Sequence, residues 1–172
     1  MTVNHYIIDS SSLIDLQRFY PMSVFPTLWK NLSVLIQKRL LNSPQEVFSE
    51  IAVKDDTVKE WVKKQTNFFI EITNFQINIV REVVSKFPSL VKQLQPFNAD
   101  PWLIAVAYEF IKFPQKSIAE FISHQDFNER VVTIVTEESL RGNKVKIPFV
   151  AQQYNIPCMK VLDVIKAEGW TF

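Results

Sequence analysis

Four carboxylates of this chain lie next to predicted strand ends or helix starts, and two of them follow the most strand-like runs. Asp9 comes directly after the apolar run 6–8, and Glu138 follows the β-branched run 131–136 with Glu137 beside it. The carboxyl ends of parallel strands meet at one edge of a sheet, where ligands bind. We therefore expect Asp9 to lie close to Glu138, or to Glu137 in its place.

The other two carboxylates lie near predicted helix starts. Asp100 precedes Pro101, which predicts Asp100 as the N-cap and Pro101 as the first helical residue. Glu50 lies one turn into a helix that segment 43–46 should begin with a capping box, and that box would account for Glu46. Helix starts share a sheet edge with strand ends, so Asp100 should join the strand-end acids and Glu50 should lie near them.

Each of these acids alone has an ordinary explanation as a helix cap or a solvated charge. Carboxylates gathered at one edge, however, repel one another and raise one another's pKa values. A hard cation relieves that repulsion, and an all-oxygen ligand set suits Mg²⁺ or Mn²⁺. Such an ion can activate water and stabilise the leaving oxygen of a phosphodiester. The shared edge therefore favours metal-dependent phosphodiester chemistry.

Other kinds of catalytic site have weaker support in the sequence. The two histidines, His5 and His124, and the single cysteine, Cys158, do not form a zinc-binding pattern. The serines at 10–12 lack the G-x-S-x-G elbow of a nucleophilic hydrolase, and two glycines cannot make a phosphate-binding loop. Cys158 follows Pro157 in a strand-like segment, which favours a buried small residue over a nucleophile.

Alternation of strand-like and helical segments predicts an α/β fold with parallel strands. The first helix should begin with Ser12 as its N-cap. Segment 57–96 shows helical periodicity without strand signals, which predicts an inserted helical arm with a further short helix at 89–95. The last strand is expected near 158–160, followed by a helix at 162–168.

Length and composition predict one globular domain covering 1–172, with 47% hydrophobic and 22% charged residues. A net charge of +1 argues against a broad basic surface that binds nucleic acid by counterion release alone. The longest apolar run is too short to cross a bilayer, and no signal peptide is evident. These features, with a single cysteine, predict a cytoplasmic protein without membrane contact.

Four segments, in order, resemble the PIN domain. They are Y-I-I-D-S-S from residue 6, S-P-Q-E-V-F-S-E-I from residue 43, A-D-P-W-L-I-A-V-A from residue 99 and V-V-T-I-V-T-E-E from residue 131. The resemblance covers nearly the whole chain and is closest to a PIN-like subfamily catalogued as a domain of unknown function. Members of that subfamily share a tryptophan-containing helix, here at 25–29, and a K-I-P segment, here at 146–148.

The resemblance implies a Rossmann-like three-layer PIN fold with a short central parallel sheet, and a ribonuclease that depends on Mg²⁺ or Mn²⁺. It places the family's catalytic and metal-binding acids at Asp9, Glu50, Asp100 and Glu138. Ser10 and Thr136 would orient water beside them. The basic loop after the last acid would offer Arg141, Lys144 and Lys146 to RNA phosphates, although a solvated turn explains these charges equally well.

Many PIN proteins are toxins of type II toxin–antitoxin pairs, so the resemblance also implies an antitoxin partner and a homodimer. Two alternatives stay open at this point. A PIN-like protein could act as a protein-binding module through its helical arm, without catalysis. It could also be a nuclease that cuts structured DNA, as some PIN relatives do.

Overall fold

A computed structural model describes residues 3–91, 97–114, 130–142 and 144–172. His124 and segment 92–96, the end of the predicted helical arm, lie outside these residues. In chain order the elements are β1 (Val3–Ile8), α1 (Ser10–Phe19), α2 (Pro26–Gln37), β2 (Leu41–Pro44), α3 (Gln45–Lys54), α4 (Asp56–Lys63), β3 (Phe69–Ile70), α5 (Asn74–Lys86), a 3₁₀ turn (Pro88–Leu90), α6 (Asp100–Lys112), β4 (Arg130–Val135), α7 (Ile147–Gln153), β5 (Cys158–Met159) and α8 (Val161–Ala167).

The described strands form one five-stranded sheet in the order β3-β2-β1-β4-β5, and every pair is parallel. Strand β1 lies in the middle, and its last three residues, Tyr6 to Ile8, are 0–1% exposed. The helices flank this sheet, so the protein has the predicted Rossmann-like α/β architecture. Ile8 pairs with Val135 of β4, which places the residues after these two strands side by side.

Helix α6 packs against β1, β2 and β4, and α5 and α7 pack against α6. Helices α1, α3 and α4 contact one another. The apolar sequence of α6 explains its central place, since eight of its 13 residues are buried. None of the helices in the described parts of the chain has the length and apolar character needed to span a membrane.

Two helices begin earlier than the sequence predicts. Helix α1 begins at Ser10 with Asp9 in the N-cap position, so Ser12 lies inside the helix and does not cap it. The chain passes from strand to helix through the single extended residue Asp9. Helix α6 begins at Asp100 with Ala99 as its N-cap, and the Ala99 carbonyl accepts the first helical hydrogen bond, from the Leu103 N–H at 3.0 Å.

The predicted capping box of α3 is wrong. Ser43 and Pro44 belong to β2, and the Ser43 hydroxyl donates a 2.7 Å hydrogen bond to the Ile8 carbonyl instead of capping a helix. Glu46 lies in the first turn of α3, and its Oε2 is buried without a hydrogen-bond partner among the described residues. Burial raises the pKa of Glu46.

The predicted all-helical arm is also wrong in one respect, because it contributes a strand to the sheet. Strand β3 pairs with Ser43 and Pro44 of β2 at the sheet edge, and Phe68 just before it is fully buried. Two residues are too few to show the alternation by which a strand is recognised in a sequence. The helix expected at 89–95 is a 3₁₀ turn as far as the chain is described there.

Candidate functional site

A small cavity of about 70 Å³ lies at the carboxyl edge of the sheet, where β1 and β4 end. It is lined by the four predicted acids Asp9, Glu50, Asp100 and Glu138. Ser10, Ser11, Lys54 and Asn98 complete the lining. Four acids from four separate elements, spread over 130 positions of sequence, thus meet at one place.

Asp9 is the most buried acid of this cavity, at 4% exposure. Two hydroxyl groups donate hydrogen bonds to its carboxylate: Ser11 at 2.6 Å and Thr136 at 3.1 Å. The Ser10 hydroxyl lies 3.3 Å from the same carboxylate, but its single proton is directed to Glu50. Thr136, which the resemblance assigned to ordering water, therefore holds the carboxylate itself, and two donors fix the orientation of Asp9 before any ligand arrives.

The electrostatic environment of Asp9 opposes its negative charge. Burial raises the pKa of this carboxyl, and the charges of Glu50 and Glu138 raise it further, against the opposing effect of the hydroxyl donors. A cation at this position would stabilise the ionised form. The cavity therefore combines excess negative charge with restricted access to water.

Glu50 connects the helices around the cavity. Its Oε2 accepts a 2.5 Å hydrogen bond from Ser10 at the start of α1, and its Oε1 accepts a 3.1 Å bond from the backbone N–H of Ala99. Lys54, one turn further along α3, places its Nζ 4.0 Å from Glu50 Oε2. Sequence reasoning missed Lys54, although its i+4 spacing from Glu50 was a usable signal.

Asp100 and Glu138 reach the cavity from two other elements. Asp100 is the first residue of α6, so the start of this central helix faces the sheet edge. Glu138 Oε2 accepts a 3.0 Å hydrogen bond from the backbone N–H of Ile147, the first residue of α7, and its Oε1 lies 3.7 Å from Lys146 Nζ. Glu138 thus links the segment after β4 to α7.

Glu138 and its neighbour Glu137 make different contacts. Glu137 Oε1 accepts hydrogen bonds from the backbone N–H of Val161 at 3.1 Å and from the Ser12 hydroxyl at 3.5 Å, so it holds the start of α8. Among the described residues, Glu138 lines the cavity and Glu137 does not. Sequence spacing alone could not distinguish two adjacent acids.

The predicted basic loop does not line the cavity: Arg141, Lys144 and Lys146 are all absent from its lining residues. Lys146 contacts it indirectly, through the ion pair with Glu138. Asn98, which does line it, sits two residues before Asp100 and had no pattern to mark it.

The donor set of the cavity fits a hard cation, but no described group of three acids, histidines or cysteines is arranged as a ready-made direct ligand set. Backbone N–H groups hold oxygens of Glu50 and Glu138, which explains why those side chains do not converge on one point. Mg²⁺ commonly binds through one or two carboxylates and keeps several waters. About 70 Å³ exceeds the roughly 30 Å³ share of one water, so an ion with part of its hydration shell fits.

Two other titratable residues do not support a different chemistry. His5 is fully buried, stacks on Phe110 and hydrogen-bonds Asn42 through Nε2; burial lowers its pKa to about 3, so its ring is neutral. Burial also raises the pKa of the Cys158 thiol to about 12, with a contribution from Glu138. A protonated thiol is a poor nucleophile, so the structure gives no support to a nucleophilic Cys158.

Comparison with known proteins finds no curated protein that matches the chain at a significant level. A family model described as "Domain of unknown function (DUF4411)" matches residues 6–112 and 117–172. This match supports the part of the sequence resemblance that indicated a domain family of unknown function. Because the match covers nearly all of the sequence, the chain belongs to the DUF4411 family.

Proposed function

We propose that this protein is a PIN-like endoribonuclease that hydrolyses RNA phosphodiester bonds with the help of Mg²⁺ or Mn²⁺. One observation carries the proposal: Asp9, Glu50, Asp100 and Glu138 line a single cavity at the carboxyl edge of the sheet. These are the four positions at which the resemblance to the PIN domain implies catalytic and metal-binding acids. The raised pKa of Asp9 supports a site whose excess negative charge a cation relieves.

Each lining residue has a definable part in this proposal. Asp9 and Asp100 would contact the cation, while Glu50 and Glu138, whose oxygens already accept backbone hydrogen bonds, would act through ordered water. Ser11 and Thr136 would keep Asp9 in place. When bound, the cation would supply water activation and stabilisation of the leaving oxygen.

The toxin role, the antitoxin partner, the homodimer and the cytoplasmic location are further parts of the proposal, and the PIN resemblance supports them. Expression of the wild-type chain should arrest growth of a bacterial host, whereas expression of an inactive variant should not. Equal growth with both proteins would show that the toxin role is wrong. The nuclease activity would then be tested directly with RNA.

The first experiment is thermal melting of the protein in EDTA, Mg²⁺ and Mn²⁺, beside the variant Asp100→Asn. A ligand that binds only the folded state raises its stability, by about 2.7 kcal/mol at a hundred times its dissociation constant. We expect a melting-temperature rise with Mn²⁺ that Asp100→Asn loses. Asp163→Asn, an exposed helix-start acid outside the acid cavity, should keep the metal response and is the matched control.

A substrate panel then identifies the nucleic acid. Single-stranded RNA, duplex RNA, single-stranded DNA and branched DNA are incubated with Mn²⁺ and with EDTA. Metal-dependent cleavage of RNA alone is expected. Cleavage of branched DNA alone would select the structured-DNA alternative, and the absence of both metal response and cleavage would favour a protein-binding module.

A further inference from the structure

A second and larger depression adjoins the acid cavity. This open groove of about 650 Å³ lies along the edge strand β5, beside α7, and reaches the residues that follow β4. Glu138 lines both the groove and the acid cavity, so the two are neighbours that share one side chain. A volume of this size is within the range of small-molecule binding sites.

The groove differs from the acid cavity in its chemistry. Its walls include the apolar side chains of Pro148, Ile156 and Met159. Two exposed amide residues, Gln152 and Asn155, also line it, and neither side-chain amide has a hydrogen-bond partner among the described residues. Lys160 and Asp163, one cation and one anion, also line the groove. Apolar walls, available amides and charges of both signs suit a flat, hydrogen-bonding ligand without net charge.

The backbone that carries the two amides is held by the end of α7. Asn155 adopts a left-handed backbone conformation with φ of 55°, and its N–H donates a 3.2 Å hydrogen bond to the carbonyl of Gln152. The next residue, Ile156, is buried and donates a 2.9 Å bond to the Ala151 carbonyl. The backbone that carries both amides is therefore defined before any ligand binds.

We propose that this groove binds the base and ribose of the nucleotide next to the scissile phosphate, and that Gln152 and Asn155 select the base. The inference rests on the proposed nuclease function, because it takes the acid cavity as the place of the phosphate. An amide offers both a donor and an acceptor, which is the pattern that base edges present. The substrate is single-stranded, since a paired and stacked base cannot enter a groove of this kind.

The first test uses neutral nucleosides, which carry no phosphate and so need neither the cation nor the acid cavity. Adenosine, cytidine, guanosine and uridine are titrated in EDTA while the side-chain amide NMR signals of Gln152 and Asn155 are followed. At least one nucleoside should shift both signals in a saturable way, with an affinity roughly tenfold above that of the weakest nucleoside. That factor corresponds to about one hydrogen bond.

The matched variants are Gln152→Ala with Asn155→Gly, and the control Gln153→Ala. Glycine accepts the left-handed backbone at 155 without strain. Gln153 is exposed on the same helix but lines a different depression, beside Tyr108. Binding to the double variant is followed by the backbone N–H signal of Ile156, which lines the same groove. The double variant should lose nucleoside binding, and the ratio of its cleavage rates at the most and least favoured base should fall about tenfold, while Gln153→Ala should match the wild type.

The outcomes separate this inference from the proposed function. RNA cleavage with an unchanged base preference in the double variant would overturn the inference and leave the nuclease in place. Nucleoside binding that depends on the two amides, in a protein that cuts no RNA, would support the groove and remove the nuclease assignment. If no nucleoside shifts the amide signals, the inference is wrong.

Discussion

Two regions of the molecule bury a carboxylate among hydrogen-bond donors, and they differ in what surrounds it. Asp9 accepts hydrogen bonds from hydroxyls but shares its cavity with three further acids. Glu109 of α6, at 1% exposure, accepts from the Thr73 hydroxyl at 2.9 Å and the Gln76 amide at 2.6 Å. One arrangement accumulates like charges, and the other surrounds a carboxylate with neutral donors that join α5 to α6.

This difference indicates opposite roles for two similar groups. A site with excess like charge is expected to lower stability when no ligand is bound, as functional sites often do. A carboxylate matched to neutral donors holds the fold together. Substitutions at the two positions should therefore separate function from stability.

The largest expected effect is on cleavage by Asp9→Asn. The change keeps the shape of the side chain but removes the most buried charge of the cavity. Loss of a residue that only supports a metal ligand lowers metal affinity or activity about 10–100-fold, so loss of a direct contact should reduce RNA cleavage by at least about a hundredfold. Initial rates in Mn²⁺ measure this, and an unchanged rate would remove Asp9 from the mechanism.

The next effect is on the stability of Glu109→Ala. Truncation leaves the Thr73 hydroxyl and the Gln76 amide without this acceptor, which should lower the free energy of unfolding by about 2–4 kcal/mol. Urea denaturation measures the change. Glu60→Ala, which removes an exposed ion pair with Lys63, is the control and should leave the free energy of unfolding nearly unchanged. The folded variant should keep its response to Mn²⁺.

A smaller effect, of opposite sign, is expected for the stability of Asp9→Asn in EDTA. Removal of a buried charge, together with its repulsion from Glu50 and Glu138, should raise the melting temperature at neutral pH by roughly 2–4 °C. Because the pKa of Asp9 is raised in the folded state, the folded chain holds this proton more tightly than the unfolded chain. Asp9 therefore reduces stability as the pH rises through that raised pKa.

The pH dependence of the stability of Asp9→Asn follows from the raised pKa of Asp9. Asparagine does not titrate, so the higher stability of the variant should be present at neutral pH and should vanish as the pH falls into the ordinary aspartate range. Melting temperatures measured across that range test the claim. An advantage that grew on acidification would contradict the assigned cause.

The smallest effect is expected for Lys54→Gln. Its ammonium group is half exposed and 4.0 Å from Glu50, so its removal makes the cavity slightly more negative. The dissociation constant for Mn²⁺ should tighten about two- to threefold by calorimetry. Lys63→Gln, on an exposed face of α4, should leave it unchanged. Weaker binding in Lys54→Gln would indicate that the lysine organises the site.

The sequence predicted the acid cavity because strand ends are marked by apolar runs and parallel topology brings those ends together. Helix starts were less predictable. The local sequence favours Ser43 as a helix cap, but its hydroxyl donates to the Ile8 carbonyl of the neighbouring strand, a contact that only the fold creates. The tryptophan-containing helix expected at 25–29 does begin there, at Pro26, because proline favours the first helical position through local backbone geometry. The groove escaped prediction, since Gln152 and Asn155 are ordinary surface residues until the fold places them beside Glu138.

The position of Glu138 has a thermodynamic consequence. One carboxylate forms part of the wall of both compartments and is tied to α7 through the Ile147 N–H. Any ligand that moves this side chain in one compartment alters the free energy of occupancy in the other. Linkage requires that coupling to be equal in both directions. Binding in one compartment should therefore change the affinity of the other by the amount that the movement of Glu138 contributes.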